Sequence, residues 1–150
     1  MRKISNQFVL GLTFICGCLQ LSLVKGDDER IAAIVNKAVD ECTKETGINK
    51  EQTNLIMADA FELLGEDHFS HEMKCFLLCF HRSVGVIDAD GGPIEKPFMN
   101  FMEIRFSQKK DKIMPALVKC RKVVEADPCE HVFKFEMCMA HTIEGDKWDV

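Results

Sequence analysis

The chain has 150 residues, a net charge of −5 and eight cysteines. Its length is enough for one domain. Its acidic balance argues against nucleic acid and anionic membrane surfaces as partners, because both repel a negatively charged protein. The cysteines are therefore the most informative residues of this small acidic chain.

The first 26 residues have the features of a secretory signal peptide. Arg2 and Lys3 form a basic start, a mostly apolar run extends from Phe8 to Leu23, and Gly26 precedes the expected cleavage point. A membrane anchor is the alternative, but the apolar run is short and interrupted. Cleavage would remove three of the 19 basic residues and none of the 24 acidic ones, leaving a secreted, extracellular domain over residues 27–150 with a net charge of −8.

Apolar residues recur at helical spacing throughout this domain, and no stretch alternates as a strand does. We expect Asn49 to cap the second helix, and Pro115 to kink the fifth helix or mark its true start. The expected fold is therefore all-α. The six helices are predicted at residues 28–46, 50–65, 69–84, 97–106, 109–125 and 129–142.

The sequence Asp88–Pro93 predicts a turn, and its two aspartates raise the question of calcium. An EF-hand loop counted from Asp88 needs a glycine at its sixth position and a carboxylate at its twelfth. Those positions hold Pro93 and Met99. We therefore expect an acidic turn without a calcium ion.

The third predicted helix has an apolar stripe, a cysteine-bearing edge and a side expected to face water. Cys75 and Cys79 are one turn apart, so their side chains point the same way and each needs its own partner elsewhere. Lys74 and His81 belong to the side expected to be wet. The apolar stripe consists of Phe69, Met73, Phe76, Leu77, Phe80 and Val84.

An even number of cysteines remains after signal cleavage, which predicts three disulfides in an oxidising compartment and leaves their pairing open. A metal site near His81 or His131 is the rival interpretation. Structural zinc sites more often use cysteines two residues apart in a reducing compartment. We therefore expect no metal and no cofactor. The six cysteines are Cys42, Cys75, Cys79, Cys120, Cys129 and Cys138.

The cysteine spacing resembles that of the insect odorant-binding protein family of the six-cysteine type. Three residues separate Cys75 from Cys79, and eight residues separate each of the successive cysteines Cys120, Cys129 and Cys138. The resemblance spans essentially the whole secreted domain, although the gap before Cys75 is slightly long for the family. It implies an odorant-binding-protein-like helical shell around one apolar cavity. The implied disulfides are Cys42–Cys79, Cys75–Cys129 and Cys120–Cys138.

The resemblance implies a carrier of small hydrophobic molecules such as odorants or pheromones. Burial of apolar ligand surface would contribute a binding free energy of about 25 cal/mol for each Å² removed from water. From the residues alone, the phenylalanines and methionines on the inward-facing sides of the helices would form an ordinary core. Trp148 lies in a tail that either covers the cavity or frays. The candidate ligand-binding residues are Phe61, Leu64, Phe69, Met73, Phe76, Leu77, Phe80, Val84, Met102, Leu117, Val124, Phe133, Met137 and Trp148.

Three polar residues leave alternatives open. Glu136 projects onto the apolar face of the sixth helix, where it would offer a polar group to a ligand, pair with a lysine or rotate outward. Protonation of His68 or His71 would place positive charge at the unfavourable end of the third helix and weaken ligand binding in acid. Solvated surface histidines are the alternative.

Other functional classes lack their signatures. A secreted phospholipase A2 needs a calcium loop and a His-Asp pair among adjacent cysteines, and a plant lipid-transfer protein needs eight cysteines with an adjacent pair; neither feature exists here. We expect no enzymatic activity and no catalytic residue. A secreted carrier or scavenger of lipids or hormones outside chemosensory tissue is the alternative function. A membrane chemoreceptor is a further candidate partner, and the chain is expected to be a monomer or a weak homodimer.

Overall fold

The computed structural model describes residues 29–58 and 64–145. Within these residues the regular structure is helical, apart from one isolated bridge between Ile87 and Pro93. The expected all-α fold is confirmed. The signal peptide, Phe61 and Trp148 lie outside the described residues.

The chain divides into two units, Met1–Lys37 and Ala38–Val150. The first helix, α1, covers residues 29–46, of which residues 29–37 belong to the first unit and residues 38–46 to the second. A short 3₁₀ turn, Glu66–His68, follows α2. The remaining helices are α2 (Lys50–Met57), α3 (His71–Ser83), α4 (Glu95–Arg105), α5 (Lys110–Cys120) and α6 (Pro128–Glu144).

Local capping explains where α2 and α3 begin. Asn49 and Gln52 form a capping box in which each side chain accepts a hydrogen bond from the other residue's backbone N–H. The Ser70 hydroxyl accepts a hydrogen bond from the N–H of Met73. Gly85, with a φ of 75°, follows the end of α3 in a left-handed conformation that glycine adopts at little cost.

Two predicted helix ends are wrong. The second helix does not reach residue 65, because Ala58 already forms its C-cap and Leu64 lies in a bend. The fifth helix ends at Cys120 rather than residue 125, since a turn at Arg121 follows. An apolar residue beyond a helix end no longer follows the periodicity that placed it on the buried face.

Pro115 lies inside α5, which continues through it, so the expected start at Pro115 is wrong. A proline removes one hydrogen bond within a helix. Ile113, Ala116 and Leu117 are almost completely buried around it. Tertiary packing of these side chains outweighs the local preference to begin or break the helix there.

The core forms mainly where α6 packs against α3 and α5. The structure contains the disulfides Cys42–Cys79, Cys75–Cys129 and Cys120–Cys138, which are the pairs that the resemblance implies. Cys129 joins α6 to α3, and Cys138 joins α6 to α5. Because these cysteines are nine residues apart, they leave α6 on opposite sides and hold it from both flanks.

The turn at Asp88 is stabilised by its own side chain. The Asp88 carboxylate accepts hydrogen bonds of 2.9 Å from the backbone N–H groups of Asp90 and Gly92. The carboxylate thereby acts as an Asx-type cap for the turn. Among the described residues, every helix is too short or too polar to span a bilayer.

Candidate ligand-binding site

The apolar stripe that begins at Phe69 and continues along α3 contacts α6 at Phe133, and two of its own rings pack against each other along α3. The rings of Phe69 and Phe133 lie 5.2 Å apart, and those of Phe76 and Phe80 lie 6.2 Å apart and nearly parallel. These geometries fall in the range of favourable aromatic pairs. We call the buried apolar side chains of this stripe and of α6 around Phe133 the apolar wall.

Most of the predicted ligand-binding residues within the described part of the chain are buried, although their role in binding stays a prediction. Leu64, Val84 and Met137 are half-buried. The buried ones are Phe69, Met73, Phe76, Leu77, Phe80, Met102, Leu117 and Phe133.

Val124 does not belong to this set. It lies in the loop after α5, and it is 80% exposed. Its predicted inward position assumed that α5 extends to residue 125, whereas the helix ends at Cys120. The predicted inward position of Val124 is therefore wrong.

The candidate ligand-binding set left out several interior residues that extend the apolar wall, although the periodicity of the sixth helix places Met139 and Ile143 on its inner face. Phe98 of α4 and Phe135 of α6 bring their rings to 5.7 Å from each other. Met139 and Ile143 of α6 have no exposed surface. Their helical spacing on α6 was the available signal, since Phe135, Met139 and Ile143 recur every four residues.

Glu136 is buried, with 2% of its surface exposed, and its carboxylate contacts an arginine and a histidine. Its Oε2 accepts a 2.6 Å hydrogen bond from the Arg105 guanidinium of α4, and its Oε1 lies 3.6 Å from Nε2 of His81 on α3. Pairing was one of the three alternatives for this carboxylate, but the partners are an arginine and a histidine rather than a lysine. We call His81, Arg105 and Glu136 the inner cluster.

The inner cluster shifts the protonation equilibria of its members. Burial lowers the pKa of His81; attraction to Glu136 opposes this shift and repulsion from Arg105 adds to it. Burial alone would raise the pKa of Glu136, but His81 and Arg105 outweigh it and the pKa is lowered. Near neutral pH the cluster therefore holds one carboxylate, one guanidinium and a neutral imidazole.

A second charged group lies nearer the start of α3. The Lys74 ammonium donates hydrogen bonds of 2.9 to 3.0 Å to Glu66 and to both carboxylate oxygens of Glu130. It also lies 4.8 Å from the centre of the Phe133 ring. Burial alone would lower the pKa of Lys74, but the two carboxylates outweigh it and raise the pKa. We call Lys74, Glu66 and Glu130 the outer cluster.

The expectation that Lys74 and His81 face water is wrong, since they are 7% and 2% exposed. Together with buried Leu78 they form a second stripe along α3. Both side chains are buried because carboxylates from other elements satisfy them. His68 and His71 have half of their side chains exposed, and the expected effect of their protonation on binding stays a prediction.

The comparisons with known proteins agree with this geometry. The fold defines the class of protein as a small helical domain that is cross-linked by three disulfides. A profile of the PBP/GOBP family, which comprises insect odorant-binding proteins, matches residues 25–142, and the chain belongs to this family. The predicted resemblance is thereby confirmed. Members of the family bind small hydrophobic ligands and are not known as enzymes.

A solved structure gives the same fold. The chain is similar to the fatty acid binding protein OBP56a from the oral disk of the blowfly Phormia regina, with a TM-score of 0.61 and 26% identity. The similarity covers 77% of this chain and 94% of the blowfly chain. No curated protein sequence gives a significant match.

Proposed function

We propose that the chain is a secreted carrier that binds a small hydrophobic molecule, such as an odorant, a pheromone or a fatty acid, beside the apolar wall of α3 and α6. The observation that carries the proposal is this wall, with its ring pairs Phe69–Phe133 and Phe76–Phe80, in a member of a ligand-binding family. Because members of the family bind ligands, we infer that the wall contacts a ligand as well as the protein core.

The disulfides support this role. A shell that must accept and release a ligand cannot rely on a solid core alone for its shape. Cys75–Cys129 and Cys120–Cys138 fix α6 to its two neighbours, and Cys42–Cys79 ties α1 to α3. Cross-links of this kind stabilise mainly by restricting the unfolded chain, by about 3–4 kcal/mol each in the entropic treatment.

The chemistry of the wall favours an apolar ligand with a long or flexible hydrocarbon part. Each methylene moved from water to such a surface contributes about 0.8 kcal/mol. Met73 and Met102 add unbranched, polarisable side chains that adapt to different ligand shapes. The blowfly relative is named a fatty acid binding protein, which makes fatty acids candidates beside odorants.

Secretion belongs to the same proposal. Residues 1–26 have the composition of a signal peptide, and the three disulfides suit an oxidising compartment. N-terminal sequencing of the protein recovered from the medium of expressing insect cells checks this step. The expected mature protein begins at Asp27.

Displacement of a fluorescent apolar probe tests the binding function. We expect N-phenyl-1-naphthylamine to bind the mature domain, and members of a panel of alcohols, aldehydes and fatty acids to displace it. Phe69→Leu and Phe133→Leu should weaken binding roughly tenfold, the equivalent of about 1.4 kcal/mol. Val124→Ala is the matched control, because Val124 is exposed. Probe binding that responds equally to all three substitutions would contradict the assignment of the wall.

A further inference from the structure

One disulfide, Cys75–Cys129, differs from the other two in the groups around its sulfur atoms. His71 Nε2 lies 3.5 Å from Cys75 Sγ, and this nitrogen and both sulfurs lie within 4.8 Å of one another. The same Nε2 lies 4.0 Å from Oδ2 of Asp127. A group able to donate a proton is therefore in contact with this disulfide.

Small molecules can reach this disulfide from its Cys75 side, since Cys75 is half-buried whereas Cys129 is 7% exposed. Cys75 and Cys129 both line a surface groove of about 470 Å³. The groove also carries acidic Glu72 and basic Arg82. Side chains of both signs suit a small molecule that carries both a carboxylate and an ammonium group.

Cys129 is well placed to leave as a thiolate. It is the second residue of α6, a helix of 17 residues. The N-terminal end of a helix carries partial positive charge, which stabilises an anion and lowers the pKa of a cysteine placed there. A thiol of lower pKa also leaves a disulfide faster.

Cys79 lines the same groove, but the other two disulfides differ in the groups around the attacked sulfur and in the thiolate that they would release. Attack on half-buried Cys79 would meet the Glu45 carboxylate, whose Oε2 lies 3.5 Å from the sulfur, and would release a thiolate at fully buried Cys42. Attack on Cys138 would release a thiolate at Cys120, which is fully buried and ends α5. The C-terminal end of a helix disfavours an anion.

We propose that Cys75–Cys129 is a thiol-exchange site for small zwitterionic thiols of the glutathione class. The incoming thiolate attacks Cys75 Sγ and forms a new S–S bond as the Cys75–Cys129 bond breaks. The electron pair of the broken bond leaves with Cys129, and His71 donates a proton to that thiolate. The product carries a mixed disulfide at Cys75 and a free thiol at Cys129, and the small thiol is the only co-reactant.

The order in which the disulfides open tests the proposal on the unmodified protein. The oxidised mature domain is incubated with reduced glutathione, quenched with an alkylating reagent and mapped by peptide mass spectrometry. We expect the first product to carry glutathione on Cys75 and an alkyl group on Cys129, with the other two disulfides intact. Earlier opening of either other disulfide, or simultaneous opening of all three, would overturn the proposal.

Two histidine variants test the role of the imidazole. His71→Gln should slow the appearance of the Cys75 mixed disulfide about tenfold, through loss of the proton donor. His68→Gln is the control, because both histidine side chains are 56% exposed and only His71 contacts the disulfide. Equal thermal midpoints of the oxidised variants show that both fold. Equal rates for the two variants would overturn the assignment of His71 and of the site.

Discussion

The outer and inner clusters lie seven residues apart along α3, and both join it to α6. Lys74 of the outer cluster is buried, but its partner Glu66 keeps 49% of its side chain in water. Glu136 of the inner cluster keeps 2%. Water can therefore compensate a lost partner in the outer cluster and cannot do so in the inner one.

The difference shows that the exposure of the remaining partner determines what an ion pair contributes to stability. A carboxylate that stays in water after its partner is removed loses little. A carboxylate stranded in a dry interior must take up a proton or be solvated at high cost. The two clusters contain similar groups, but they should respond differently to the same kind of substitution.

Arg105→Met should have the largest effect, because it removes the 2.6 Å hydrogen bond to the buried carboxylate of Glu136. We expect the free energy of unfolding at pH 7 to fall by about 3–5 kcal/mol. Urea denaturation followed by circular dichroism measures the loss. Arg121→Met is the matched control, since the Arg121–Glu95 pair is long, at 3.8 Å, and exposed, and it should change stability by less than about 1 kcal/mol. Similar losses in both variants would contradict the special role of the inner cluster.

Lys74→Met should have a smaller effect, because the carboxylates of Glu66 and Glu130 remain partly in water. We expect a loss of about 1.5–3 kcal/mol, the range for a hydrogen bond to a charged group. The same denaturation experiment measures it. Lys134→Met, which removes a more exposed lysine paired with Glu125, provides the comparison. A loss as large as that of Arg105→Met would show that water does not compensate the outer cluster.

Acidification should weaken the fold through the inner cluster. The pKa of His81 in the folded state lies below its ordinary value of 6.5, so the unfolded chain binds protons first and stability falls as the pH drops below 6.5. The lowered pKa of Glu136 extends the loss below its ordinary value of 4.5. Urea denaturation between pH 7.5 and pH 4 should show this decline.

A histidine variant tests whether His81 causes the decline of stability in acid. His81→Gln should flatten the decline between pH 6.5 and pH 4.5. His141→Gln is the control, because the pKa of His141 is also lowered, by burial and then by Lys119, but this residue is only half-buried. A decline in His81→Gln that runs parallel to the original one would exclude His81 as its source.

Lys110→Ala should have the smallest effect. The Lys110–Glu103 pair is 3.4 Å long, and about half of each side chain is exposed. Surface pairs of this kind contribute about 0–1 kcal/mol, and salt weakens them further. Thermal unfolding at low and high salt should give nearly equal midpoints for the variant and the original chain. A clear loss of stability would show that exposed ion pairs also contribute strongly to the stability of this protein.

Much of the framework was predictable from the sequence. Cys75 and Cys79 required separate partners because four residues make one helical turn, and Asn49 and Ser70 supply caps through contacts within a few residues. The apolar stripe from Phe69 to Phe80 followed from the same periodicity. These features depend on local geometry, which the order of residues determines directly.

Only the tertiary structure decided which polar residues are buried. Lys74 and His81 lie opposite the strongest apolar stripe, yet carboxylates from α6 and the 3₁₀ turn reach them and make their burial tolerable. Glu136 receives its partner Arg105 from 31 residues away. Val124 became exposed because α5 ends early. Periodicity gives the direction of a side chain on its own helix, whereas the energy of burying a charge depends on groups that the fold brings from elsewhere.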